Sequence, residues 1–221
     1  MRSSPAFRPE RGPWAACLAA VLAVAAAVPA AAQDDGVDLD ALLSAFARMP
    51  GLEAAFVEEK HMALLAKPLV SRGRLYFTSP GLLLRRVRSP RPSEVVVTPR
   101  AVRFRDGDGE QTIDLRSRSE VRPLVETMVW LLEGDREALE SAYRMAFRER
   151  GEGWTLALTP RSAPLSKLVA RIRVRGEGYA VREIRVEETS GDATVTRITD
   201  VNPRRTFTDR EKRKLFGTAT P

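Results

Sequence analysis

The sequence predicts a mainly β fold with helices (α+β), a long antiparallel meander interrupted near its middle by amphipathic helices. Three observations lead to this. Short segments rich in β-branched and aliphatic residues alternate with turn residues along most of the chain. Two stretches instead keep their apolar residues at helical spacing. After the amino-terminal leader, no stretch approaches the ~20 apolar residues needed to span a bilayer, so the mature chain is expected to be water-soluble with no permanent membrane anchor.

The leader comes first. Arg2, Arg8 and Arg11 precede an apolar run from Trp14 to Val28, and Pro29 and Ala30-Ala31-Ala32 close it. Basic end, short apolar run and small-residue site make residues 1–32 a cleavable signal peptide, and residues 33–221, from Gln33 onward, the mature domain. Cys17 is the only cysteine. It raises a lipoprotein reading, but it sits at the start of the apolar run, where cleavage would leave almost no apolar segment upstream. The mature chain then has no disulfide and relies on a packed core. The leader's three arginines and Glu10 account for +2 of the formal net charge of +7, leaving +5. That excess suits solubility or attraction to anionic surfaces, and export makes nucleic acid a poor partner.

The mature elements follow in order. Leu39, Leu42, Leu43, Phe46 and Met49 recur at helical spacing after Asp38, a possible cap, and Pro50-Gly51 ends the run. Strands are expected over 52–62, 69–78, 82–88, 94–98, 101–105 and 111–115, with Pro80-Gly81, Pro90 to Pro92, Pro99-Arg100 and Asp106 to Gly109 between them. Val121, Leu124, Val125, Met128, Leu131 and Leu132 return to helical spacing until Gly134-Asp135, and a second short helix is expected over 136–143. The meander then resumes at Met145 and Phe147 and continues through Trp154, Leu156 and Leu158, then 168–175, 180–188 and 194–201. In Arg171-Ile172-Arg173-Val174-Arg175 three arginines alternate with two β-branched residues, so one face is wet and the other dry. A sheet of this kind covers its dry face by closing into a barrel or by laying helices against it. The basic tail, Arg204-Arg205 and Arg210 to Lys214, reads as a solvated end, with a docking patch for an acidic partner or anionic headgroups as its functional alternative.

Catalytic candidates are few. His61 is the only histidine and follows Lys60 at a strand end, which places it at the surface and denies the chain histidine triads and histidine or cysteine metal sites. Asp106-Gly107-Asp108-Gly109-Glu110 resembles part of a calcium loop but lacks the spacing to a twelfth-position glutamate, and a hairpin turn accounts for it. Glu58-Glu59 and Glu187-Glu188 are adjacent on strands, so the members of each pair point to opposite faces and form no dyad. No enzyme, catalytic residue, metal or cofactor is expected.

Certain segments resemble a known family. Phe56-Val57-Glu58-Glu59-Lys60, Pro68 to Phe77, Ser79-Pro80-Gly81-Leu82-Leu83, Trp154 to Pro160, Leu168 to Val174, Ile184 to Glu188 and Val201-Asn202-Pro203 stand in the order found in the periplasmic outer-membrane lipoprotein carriers, the LolA family. The likeness runs from about Leu39 to Phe207, and the stretch from Glu58 to Leu69 resembles a LolA-related subgroup that accompanies aryl-polyene or fatty-acid-type biosynthesis. The resemblance implies a half-open antiparallel β-barrel covered by an α-helical lid, holding acyl chains in transit through the periplasm. It also implies a monomer that meets an inner-membrane donor complex and an outer-membrane acceptor. One departure is Ser79, at the position where the family's carriers have an arginine tied to latching the lid.

Alternation within this frame assigns Leu69, Leu75, Phe77, Leu156, Leu158, Ile172, Val174, Ile184 and Val186 to one apolar interior, with Phe56 and Trp154 beside them as lipid-cavity residues. Leu124, Met128, Leu131 and Leu132 are the expected lid residues. Three successive leucines, Leu82 to Leu84, defeat the parity argument. Related half-barrels also serve as lipid-sensing regulatory or structural modules, which is the alternative function.

Overall fold

The computed structural model describes residues 37–117 and 122–217. The signal segment expected over 1–32 lies outside them. The first element among the described residues is helix α1 (Leu39–Ala47), capped by the Asp38 side chain, which accepts from the Ala41 N–H at 2.7 Å. Six strands follow: β1 (Gly51–His61), β2 (Leu69–Thr78), β3 (Leu82–Ser89), β4 (Ser93–Val97), β5 (Ala101–Asp106) and β6 (Gly109–Asp114). Helices α2 (Arg122–Glu133) and α3 (Arg136–Ala142) interrupt the meander. It resumes with β7 (Tyr143–Arg150), β8 (Gly153–Pro160), a 3-10 turn at Leu165–Lys167, β9 (Val169–Glu177), β10 (Ala180–Glu188) and β11 (Ala193–Asn202), and α4 (Asp209–Phe216) is last.

The eleven strands among the described residues form one antiparallel sheet in the order β6-β5-β4-β3-β2-β1-β11-β10-β9-β8-β7. The last strand returns to pair with the first, which puts the helical interruption between the two edges, β6 and β7. Val95 and Val102 of one wing share a single apolar cluster with Leu158 and Ile172 of the other, so the sheet curls around a common interior. The edges do not pair, and the barrel stays half open. Helices α1 and α2 close the gap by adding Leu42, Leu43, Phe46, Leu124, Met128, Leu131 and Leu132 to that cluster. Gly134 ends α2 with φ +65°, in the left-handed region, and a Cβ there would collide with the Leu43 carbonyl, so this stop is also where α1 and α2 touch.

The tail corrects one expectation. It is a helix docked on the convex face of the sheet. Thr208 and Glu211 form a capping box, and Phe207 and Phe216 pack with Tyr76, Leu84 and Val96 in a second apolar cluster. Its basic residues hid this in the sequence, because only two aromatics at the ends of a charged run carry the burial.

Candidate functional site

The concave face is built by alternation. Phe56 on β1, Leu75 and Phe77 on β2, Trp154, Leu156 and Leu158 on β8, Ile172 and Val174 on β9, and Ile184 and Val186 on β10 are all buried in the main cluster. Arg171 and Arg175 point to solvent on the other face, where Arg173 bonds Glu187 at 2.8 Å. Trp154 stacks on Phe147 at 5.9 Å between ring centres and donates its indole N–H to the Gly178 carbonyl at 2.7 Å. Leu69 departs from expectation. It has the parity of Leu75 and Phe77 but is the first residue of β2, and with 53% of its surface exposed it lies outside the buried interior. Among the three leucines of β3, Leu83 faces inward, and Leu82 and Leu84 join the convex cluster under α4.

Leu124, Met128, Leu131 and Leu132 of α2 are buried against this face. A polar tie assists them. The Thr127 hydroxyl donates to the Pro123 carbonyl at 2.7 Å, which spends its only hydrogen, so the Tyr143 hydroxyl 2.7 Å away must be the donor of their mutual bond. Tyr143, at the start of β7, is fully buried, and burial pushes its phenol up to about 12.

Sequence reasoning missed an ion pair on the same concave face. The Arg85 guanidinium donates to Glu58 Oε1 at 2.8 Å, and both residues are only 4% exposed. The Thr196 hydroxyl donates to Glu58 Oε2 at 3.3 Å, and the guanidinium lies 4.7 Å from the centre of the Phe56 ring. Gly73 makes this possible. A Cβ there would strike the Phe56 ring and the Arg86 carbonyl, so only glycine lets Phe56 lie flat across β2. Burial raises the Glu58 carboxyl above the ordinary carboxylate range, opposed by Arg85, Thr196 and Lys60 in turn. Lys60 and Glu188 form a second, looser pair at 3.5 Å. The signal lay in the parity of β1: once Phe56 is assigned inward, Glu58 and Lys60 follow it. Arg85 was hidden among Leu84, Arg86 and Val87, where charge suggests the wet face.

Elsewhere, a depression of about 1120 Å³ lies between the tips of the β3–β4 and β5–β6 hairpins, walled by Val87, Phe104, Arg91 and Asp106, and none of the expected cavity residues lines it. Asp106 caps its hairpin turn by accepting from the Asp108 N–H at 2.9 Å. Half-exposed His61 sits 3.6 Å from Glu59, and no acidic, histidine or cysteine group among the described residues is arranged to hold a metal ion. No helix among them is long and apolar enough to cross a membrane.

The fold is an open antiparallel half-barrel whose apolar concave face is roofed by amphipathic helices. The chain belongs to the outer membrane lipoprotein carrier protein LolA-like family, whose model matches residues 30–204. Similar solved structures include a LolA superfamily protein of Nitrosomonas europaea, 11% identical over 79% of this chain and 97% of that one, with a TM-score of 0.44. A DUF1329 family protein of Desulfovibrio piger is 13% identical over 78% and 93%, with a TM-score of 0.46. A chain of the MucA/MucB complex of Pseudomonas aeruginosa is 14% identical over 79% of this chain and 60% of its own length, with a TM-score of 0.45. Comparison with individually curated proteins gives no match.

Proposed function

We propose that the protein is a periplasmic carrier that shelters the acyl chains of a lipoprotein or other lipid inside the half-barrel and shuttles them toward the outer membrane. The observation that carries this reading is the single apolar cluster that joins both wings of the sheet to the helices above it. A sheet interior whose roof is helical can exchange protein side chains for acyl chains by moving the roof, without breaking a strand pair. An inner-membrane donor complex would load the cargo and an outer-membrane acceptor would receive it. Solvent extraction of the protein purified from periplasm, followed by mass spectrometry, should release acyl lipid in stoichiometric amount. Protein that carries none, and takes up none from lipid vesicles, defeats the proposal.

One observation favours the second reading, a lipid-sensing regulatory or structural half-barrel. The interior is filled by the protein's own side chains, so the fold closes without cargo. Transfer separates the two: a carrier passes labelled lipid from donor to acceptor vesicles, whereas a sensor binds lipid and keeps it.

A further inference from the structure

The concave face is graded along its strands. The row Leu52, Phe77, Leu83, Val97 and Val102, set by the cross-strand register, is wholly apolar. Toward the opposite end of β1 and β3 lie Glu58, Lys60 and Arg85, with Thr194 and Thr196 beside them on β11. Thr194 stands opposite Lys60 and Val186 in register, two residues from Thr196, and so shares the inner face with them. This end is the one nearer solvent, since Lys60 pairs with Leu69, whose side chain is more than half exposed.

A purely structural ion pair would consume its own hydrogen-bonding capacity, and this patch does not. Arg85 Nε and Thr194 Oγ1 are buried without a hydrogen-bond partner among the described residues, Thr194 being only 1% exposed and Arg85 only 4%, whereas Glu188 Oε1 is held by the Lys60 ammonium at 3.5 Å. Such orphans are rare in folded proteins, and two donors on one surface call for a ligand. The charges of Glu58, Glu188, Arg85 and Lys60 balance, so the patch has no need of a counter-ion. Its surplus is in donors: both Glu58 oxygens are already engaged, whereas Arg85 Nε, the Thr194 hydroxyl and the Lys60 ammonium have hydrogens to give.

We propose that this patch is the head-group site of the half-barrel, in which Arg85 Nε, the Thr194 hydroxyl and the Lys60 ammonium donate to the acceptor oxygens at the head of an acyl chain, its tail lying along the apolar rows. The inference rests on the acyl-carrier reading. The shared chemistry is a carbonyl-type oxygen on a long chain, supplied either by the carboxylate of a free fatty acid or by the ester of a bound lipid.

The test is displacement of N-phenyl-1-naphthylamine from the purified protein by palmitate, methyl palmitate and hexadecane, in the wild type, Thr194→Val and Lys60→Met. Thr194→Val preserves volume and breaks no existing hydrogen bond, so the fold is retained. Loss of one donor should weaken palmitate and methyl palmitate roughly five- to tenfold and leave hexadecane unchanged. Lys60→Met distinguishes the sources: a larger loss for palmitate than for its ester identifies a carboxylate, and equal losses identify the ester oxygen. If all three ligands displace the probe equally well from the wild type and both variants, the head-group site is overturned and the carrier reading stands. If none of them displaces it from the wild type, the carrier reading falls and takes this site with it.

Discussion

Arg85 and Glu58 are worth more as a pair than either is alone. Replacing Arg85 by methionine strands a buried carboxylate, and urea unfolding should show a loss of about 3–5 kcal/mol. Adding Glu58→Gln to that variant should recover most of it, because the uncompensated charge is then gone. A double variant as unstable as the single one would mean that the guanidinium acts mainly through its contact with Phe56. The Thr127–Tyr143 bond has a similar asymmetry. Tyr143→Phe leaves Thr127 bonded to the Pro123 carbonyl and should cost about 0.5–1.5 kcal/mol, whereas Thr127→Val strands a buried phenol and should cost about 1–3 kcal/mol. The ranking, read from thermal melts, identifies the tyrosine as the donor.

Two helices carry the predictions at the scale of elements. If α2 is the movable roof, Met128→Asp with Leu131→Asp removes two side chains each worth roughly 1.5–3 kcal/mol when fully buried. Lipid binding should weaken while circular dichroism shows the sheet intact, and unchanged affinity would mean that cargo enters by another route. Helix α4 is held by its capping box, and the Glu211 carboxyl is lowered from 4.5 to about 2, first by the Thr208 backbone N–H and then by Arg205. A carboxyl depressed in the folded state stabilises fully above its unfolded value, and this contribution fades as pH falls from about 4.5 toward about 2. Aromatic NMR shifts of Phe207 and Tyr76 should therefore move in that acid window and stay constant from neutral pH down to its upper edge.

At the scale of the molecule, the eleven strands described, in one open sheet, leave two unpaired edges, an apolar concave face and an apolar patch on the convex one to cover. The helices α1 and α2 serve the concave face and α4 the convex one. Truncation after Arg204 strips Phe207 and Phe216 from Tyr76, Leu84 and Val96, and light scattering should show self-association at concentrations where the full chain stays monodisperse. A cargo that binds only the folded half-barrel should raise its stability by about 2.7 kcal/mol at a hundredfold excess over Kd, visible as a concentration-dependent melting temperature.

The strands and helices were legible in the sequence because period two and period 3.6 are local properties of side-chain order, and Ile172, Val174, Leu156 and Leu158 needed nothing more to be assigned a common face. The same parity holds Glu58 and Lys60 beside Phe56, but their charge argued for the wet side and the pair went unread. Whether a charge can be buried depends on its partner, and the partner of Glu58 lies two strands away, across a glycine that lets the pair meet. Leu69 had the right parity, but exposure also depends on where the roof ends, which no local pattern encodes. Nor could a run of lysines and arginines reveal that Phe207 and Phe216 would find an apolar patch on the back of β2, β3 and β4. The sequence by itself determined most of the elements, their order and, where residues alternate, the dry side of a strand. Only the tertiary structure decided which distant groups share the interior and which face the tail covers, because both depend on the curl that brings separate strands together.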